Sequence, residues 1–291
     1  MRINTNISSM TAQESSVANG KVLNASLEKL SSGLRINKAS DDASGLAIAD
    51  KLRTQKNSLE QSVSNANSAV ALIQIADKAM GEQSNILDIV KQKLIQNATA
   101  TTSDSGRTAI GKDINKLLNQ LDNIAQQTNY NGIELLQESS SSTAAAFALT
   151  FQVGETLNDT ISTTGSVQSN TSGIGTGFAI DLTDLKTDSA AGASALTASV
   201  SQDYLEVIDK AIDDLNTMRS NFGSTQNQIE SATRNIMTSV TNISAAESVI
   251  RDVDYAEESA NFNKANIIGQ AATYAQSQAN AVPQSILKLL Q

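Results

Sequence analysis

Residues 201–252, SQDYLEVIDKAIDDLNTMRSNFGSTQNQIESATRNIMTSVTNISAAESVIRD, place Ile208, Leu215, Phe222, Ile229, Ile236, Ile243 and Ile250 at every seventh position. A seven-residue repeat keeps one apolar stripe of a helix turned toward a partner helix, the pattern of a coiled coil. Three residues after each stand Ala211, Met218, Thr225, Ala232, Ser239 and Ala246, so the second seam position is mostly small. Leu52, Leu59, Ala66, Ile73, Met80, Leu87 and Leu94 repeat the seven-residue spacing near the other end. The expected fold is mainly α. An elongated antiparallel coiled-coil or helical bundle joins the N- and C-terminal halves, with a small β-hairpin and loop region in the middle.

Composition supports a rod over a pocketed globule. The 291 residues hold five Phe, four Tyr and no Trp, so Ala, Leu, Ile and Val must fill the interior. Such side chains suit narrow helix–helix seams. There is no Cys and no His, which excludes disulfides, thiol nucleophiles and His-based acid–base pairs. The net charge of −9 carries no basic nucleic-acid footprint. No apolar run of about 18 residues exists, so no membrane insertion is expected. Residues 1–20 lack the apolar core of a cleaved signal, which points to the cytosol or to export without one.

Along the chain, Leu23, Leu27, Leu30 and Leu34 form a narrow seam, and Gly33 and Asn37 weaken the helix there. Ser40 is the expected N-cap of the next helix, with Asp41 and Asp42 in its first turn. That helix spans about 43–97. A loop over 97–103 leads to a helix over about 105–128, whose stripe is Ile110, Ile114, Leu117, Leu121 and Ile124. Asn131-Gly132 signals a tight turn. Between 133 and about 200, short strands and loops are expected, one strand covering 147–153. From about 256, Ile268, Ala272, Ala275, Ala279, Val282, Ile286 and Leu289 alternate four and three. No charge falls between Ala265 and Leu287, although a lone exposed helix normally carries charge. The stretch fits packing into an assembly, the lining of a watery channel, or a loose tail.

Three carboxylate pairs stand out: Asp41-Asp42, Asp213-Asp214 and Glu257-Glu258. Sequence neighbours on a helix diverge by about 100° and do not converge on one substrate. The first pair reads as capping, the others as solvated faces. Gly173-Ile-Gly175-Thr-Gly177 lacks the Lys-Ser/Thr ending of a phosphate loop and reads as a loop. Nothing here requires a catalytic residue, cofactor or metal.

Two longer runs carry a resemblance. Leu30-Ser-Ser-Gly33-Leu-Arg35-Ile-Asn37-Lys-Ala-Ser-Asp41-Asp42-Ala-Ser-Gly45-Leu46-Ala-Ile is similar to the N-terminal signature of bacterial flagellins. Ala279-Asn280-Ala-Val-Pro283-Gln284-Ser-Ile-Leu287-Lys-Leu-Leu resembles their C-terminal signature, and Thr128-Asn-Tyr130-Asn131-Gly132 sits at the family's turn. The resemblance covers about 1–155 and 200–291. It implies a secreted subunit that polymerises with itself into the extracellular flagellar filament, the propeller of swimming. Terminal helices 1–43 and 255–291 would form the inner tube, and 44–254 the outer rod, with the β-hairpin and short variable region at about 131–200. Separate outer domains would be missing.

The resemblance further implies export through the flagellar type III apparatus, an export chaperone, and filament cap and junction proteins. Leu52, Leu59, Ile73, Met80, Leu87, Leu94 and the Ile208–Ile250 stripe would pack the coiled-coil seams. Leu23, Leu27, Leu30, Leu34 and the Ile268–Leu289 stripe would serve terminal-helix assembly. Flagellins detected by the vertebrate innate receptor carry an Arg-Val-Arg-Glu-Leu-like run. Here it reads Ile89, Val90, Lys91, Gln92, Lys93, Leu94, which predicts weak or no receptor activation. The Ser/Thr-rich middle is either a polar loop or an acceptor of O-linked sugars. Competing readings are a hook–filament junction protein and a helical coiled-coil binding module.

Overall fold

The computed structural model describes residues 5–137, 149–163, 167–175, 181–192 and 196–289, with the side chains of 283, 284 and 286–289 excepted. The described residues are mainly helical. In order they form α1 (Ile7–Ser32), α2 (Ala43–Ala98), α3 (Asp104–Gln127), β1 (Asn129–Tyr130), β2 (Ile133–Glu134), β3 (Thr150–Gln152), β4 (Thr160–Ser162), α4 (Leu182–Ala191), α5 (Ala198–Arg251) and α6 (Tyr255–Leu289). They divide into two compact units, residues 58–238 and residues 1–57 with 239–291.

The first of these units is a helical bundle. Along α2 in this unit, Ser62, Ala66, Ala69, Ile73, Ala76, Met80, Gln83, Leu87, Val90, Leu94 and Asn97 are buried in three–four alternation, with Leu72 buried beside them. Along α5 they are Ser201, Tyr204, Val207, Ile208, Ala211, Leu215, Phe222, Thr225, Ile229 and Ile236. The ion pairs Lys91–Asp209 and Arg219–Asp77 tie the two helices antiparallel. α3 returns along α2 after a turn at 99–103, braced by Lys93–Asp113 at 3.2 Å. Its buried face is Ile110, Ile114, Leu118, Leu121 and Ala125. Leu117 and Ile124, assigned to the stripe from sequence, are only half-buried. Arg107 and Gly111 also lie on the buried face, which broadens it beyond a single stripe.

Asn131 and Gly132 have φ of 52° and 80° and close the hairpin between β1 and β2. Two consecutive left-handed residues are what the tightest hairpin turn requires. β3 and β4 form a second antiparallel pair, Phe151 opposite Ile161. Of the strand expected over 147–153, residues 147 and 148 lie outside the described residues. The hydroxyl run Ser139–Thr143 does too.

The middle also contains a helix that the sequence reading assigned to strands and loops. Asp181 caps α4, accepting from Thr183 N and Asp184 N, while Asp184 accepts from Asp181 N. This reciprocal cap satisfies orphan amides at both places. α4 buries Leu182, Leu185 and Ser189. It approaches α3 so closely that a Cβ on Gly111 would lie 3.0 Å from the Ser189 carbonyl oxygen.

Candidate assembly surface

The unit built from both chain ends begins at a clasp. α1 stops at Gly33, which is left-handed at φ 74°. Leu34 then bridges Asp252 between α5 and α6. Arg35 N donates to the Arg251 carbonyl at 2.6 Å, Val253 N to the Gly33 carbonyl at 3.0 Å, and the Arg35 guanidinium to the Ile250 carbonyl at 2.6 Å. The signature residues therefore join the two helix breaks to each other.

The capping differs from the sequence expectation. Asp42, not Ser40, holds the start of α2, accepting from Ser44 N and Gly45 N at 3.0 and 2.9 Å. Asp41 caps the turn before it, accepting from Asn37 N and Lys38 N. Those backbone donors hold its carboxyl below the ordinary value, with help from the nearby Lys29 and Lys38 charges. The Glu28 carboxylate, by hydrogen bond and by charge, raises Lys38. The helix breaks where Gly33 and Asn37 predict it, but the aspartates divide the work because helix α2 starts at Ala43.

Beyond the clasp, α1 and α6 lie antiparallel. Asn19 Nδ2 donates to the Ala265 carbonyl and Asn6 Nδ2 to the Ala279 carbonyl, both at 2.8 Å. The α6 residues turned inward are Glu258, Phe262, Ala265, Gly269, Ala272, Gln276 and Ala279. The stripe expected from sequence is shifted. Ala272 and Ala279 are half-buried, but Ile268, Ala275 and Val282 are exposed. The side chains of Ile286 and Leu289 lie outside the described residues. The shift has a physical cause. The α1 positions Ser9, Ala12, Ser16, Asn19 and Ser26 are small, so α6 presents small residues to them and leaves its larger ones outside.

On α1, Leu23 and Leu30 are half-buried and Leu27 is exposed, and Leu34, just past its end, is half-buried. Ile7, Met10, Val17 and Val22 are exposed as well, as are Ile267 and Tyr274 on α6, Tyr274 at 75%. Two carboxylates read as solvated are engaged instead. Glu258 is buried beside Lys29 at 3.9 Å, and Asp214 pairs with Lys210 and accepts from Gly175 N. The other members, Asp213 and Glu257, are exposed.

Among the long-seam residues, Ile73, Met80, Leu87, Leu94, Ile208, Leu215, Phe222, Ile229 and Ile236 are buried within the bundle. Leu52, Leu59, Ile243 and Ile250 are half-buried. Sequence reasoning missed the buried carboxamides between them. Gln83 Nε2 donates to the carbonyls of Leu121 and Ser169, and Asn97 Nδ2 to the Leu196 carbonyl and Ser201 Oγ. Arg107 donates to the carbonyls of Asn97 and Thr99, closing the C-terminus of α2. Each carboxamide sits three residues after a seven-spaced apolar residue, Met80 or Leu94, which was the available signal.

In the receptor-motif stretch, Val90 and Leu94 are buried and Ile89 and Gln92 exposed. Lys91 and Lys93 are ion-paired to Asp209 and Asp113 of their own chain.

Both ends of the chain thus meet in one unit that leaves large apolar side chains uncovered. The bacterial flagellin N-terminal helical region matches residues 3–141, and the bacterial flagellin C-terminal helical region matches residues 205–290. The chain belongs to the bacterial flagellin family. It is 36% identical to a flagellin of Bacillus subtilis, with all of both chains covered. It is 33% identical to the flagellar filament 30.7 kDa core protein of Treponema maltophilum, again over all of both chains. A crystal structure of Bacillus cereus flagellin aligns at TM-score 0.47 and 24% identity, covering 63% of this chain and 94% of that one. This flagellin is a secreted structural subunit that polymerises with copies of itself into the flagellar filament, the organelle of swimming. It is not an enzyme. No helix among the described residues is long and apolar enough to cross a membrane.

Proposed function

We propose that terminal segments 1–43 and 255–291 form the inner tube of the filament and that 44–254 form its outer rod. The observation that carries this reading is the set of uncovered apolar residues on α1 and α6, above all Met10, Val17, Ile268 and Tyr274. Water-exposed apolar area of this kind is stabilised when a neighbouring copy covers it. A head-to-tail contact that does not close gives a helical polymer. The uncharged face between Ala265 and Leu287 then meets other subunits or the channel.

The α1–α6 seam is thin, so the terminal helices order as subunits add. A chain with loose ends suits unfolded passage through the flagellar type III apparatus. Chaperone, cap and junction proteins are its proposed partners at export, tip and base. Activation of the vertebrate innate receptor is weak or absent. Ile89 replaces the leading Arg of the recognised run, and both lysines are already paired within the chain.

Seeded polymerisation of the full chain tests the assembly surface. The double substitution Ile268→Ser and Tyr274→Ser leaves monomer unfolding unchanged and raises the critical concentration about tenfold or more, since each covered apolar side chain contributes about 1.5 kcal/mol or more. An unchanged critical concentration would remove α6 from the subunit interface. Reporter-cell activity equal to that of a potent flagellin would overturn the receptor reading.

A further inference from the structure

The α1–α6 seam has little in its apolar composition to fix its register. Its inward positions are mostly Ser, Ala and Gly, with Leu23, Leu30 and Phe262 near the clasp. A small-residue seam meets nearly the same surface after sliding by one seven-residue repeat. A buried or half-buried polar residue that must find one partner removes that degeneracy.

Two such residues are Asn19 on α1 and Asn6, the N-cap of that helix. Asn6 reaches the Ala279 carbonyl and Asn19 the Ala265 carbonyl, each at 2.8 Å. Thirteen residues separate the donors and fourteen the acceptors, so both bonds belong to one antiparallel alignment, but main-chain carbonyls recur along α6 and it is the room beside the inner carboxamide that singles that alignment out. Gly269 leaves room for the inner carboxamide, because a Cβ there would stand 3.2 Å from Asn19 Nδ2. A slide by one repeat would bring Gln276 or Phe262 to that place. Lys29 beside Glu258 fits the same alignment.

We propose that Asn6 and Asn19, with the opening at Gly269, determine the register of α1 on α6. Register decides which outward side chains stand at the same height. In the observed alignment Val17 lies within a turn of Ile268, and Met10 within a turn of Tyr274. The two asparagines thereby select the apolar band that a subunit presents, a consequence that rests on the assembly reading above. They are positioning residues, acting through the placement of other side chains.

The natural absence of cysteine makes register directly measurable. One variant carries Ser16→Cys with Ala272→Cys, inward positions that repeat the Asn19–Gly269 approach one step further along both helices. Another carries Ser16→Cys with Ala279→Cys, facing after a slide of one repeat. Each is made with and without Asn6→Ala plus Asn19→Ala, and a third background carries Gly269→Leu. Intramolecular disulfides are read by mass spectrometry in the seeded, pelleted fraction and in the soluble chain with sucrose, which favours ordered states.

With both asparagines present, only the 16–272 bond forms. Without them, or with Gly269→Leu, the 16–279 bond appears at the expense of the other, while helix content falls by no more than the first turn of α1 that Asn6 caps. Exclusive 16–272 bonding in all backgrounds would overturn the proposal, as would 16–279 bonding in the parent. Failure of the parent to pellet with seeds would count against the subunit reading alone, since the soluble chain still reports register.

Discussion

The bundle of residues 58–238 and the α1–α6 pair are both antiparallel helix packings with a three–four seam, yet they end in opposite states. In the bundle the seam is filled by Ile73, Met80, Leu87, Leu94, Phe222 and Ile229, all buried. Between α1 and α6 it is filled mostly by small and polar residues, with Leu23, Leu30 and Phe262 near the clasp, and Met10, Val17, Ile268 and Tyr274 point outward. Large side chains inside make a unit that one chain completes alone. Small ones inside, with large ones outside, make a unit that other copies must complete. The same repeat thus builds a rigid rod in one region and an unfinished surface in the other.

The largest effect that separates them is cavity formation. Phe222→Ala is expected to destabilise the bundle by about 3–5 kcal/mol, in the range for deleting a fully buried aromatic side chain. Leu27→Ala, at an exposed position, is expected to change monomer stability by less than about 0.5 kcal/mol. Urea unfolding followed by circular dichroism reads both. Equal losses at the two positions would erase the contrast between a self-sufficient and an unfinished seam.

An intermediate effect comes from polar groups built into the bundle. Arg107 is a buried cation whose guanidinium meets the Asn97 and Thr99 carbonyls. Arg107→Met keeps much of the volume and removes those charge-assisted bonds, at an expected cost of about 1.5–3 kcal/mol. Hydrogen exchange then rises first at the end of α2 and in the 99–103 turn. Unaltered exchange there would mean that the last turn of α2 is held by packing alone.

These positions also show what the sequence made legible. Seven-spaced large residues announced α2 and α5 and their buried stripes, because bulk and burial coincide there. α6 broke that link. Its predicted stripe ran through Ile268 and Val282, which are exposed, while the seam took Ala265, Gly269 and Gln276 along with Ala272 and Ala279 of that stripe. Residue size marks the interior only where the interior is wide enough to need it. α4 was missed because its ten residues show a weak periodicity, and its start rests on the reciprocal cap of Asp181 and Asp184. Gln83, Asn97 and Arg107 were missed because their partners are mostly backbone carbonyls, which have no identity in a sequence. The clasp was recognised by resemblance, but the division of labour between Asp41 and Asp42 came only from the helix start.

The smallest effect concerns that clasp, and it is a pH dependence. Asp41 accepts from Asn37 N at 3.1 Å and Lys38 N at 3.0 Å, and the charges facing it are Lys29 and Lys38. Its folded carboxyl therefore titrates below the ordinary value of 3.8. A depressed folded pKa means that the stabilising contribution is fully present above the unfolded value and fades as pH falls through the folded one. Asp41 is exposed, so solvent screening keeps that contribution small. In Asp41→Asn the side-chain oxygen can still accept, but the charge is gone. Cleavage rates at residues 33–42 under an acid-active protease are expected to rise between about pH 5 and pH 2 in the parent and to vary less in the variant. Identical profiles would mean that the acid sensitivity of the clasp does not come from Asp41.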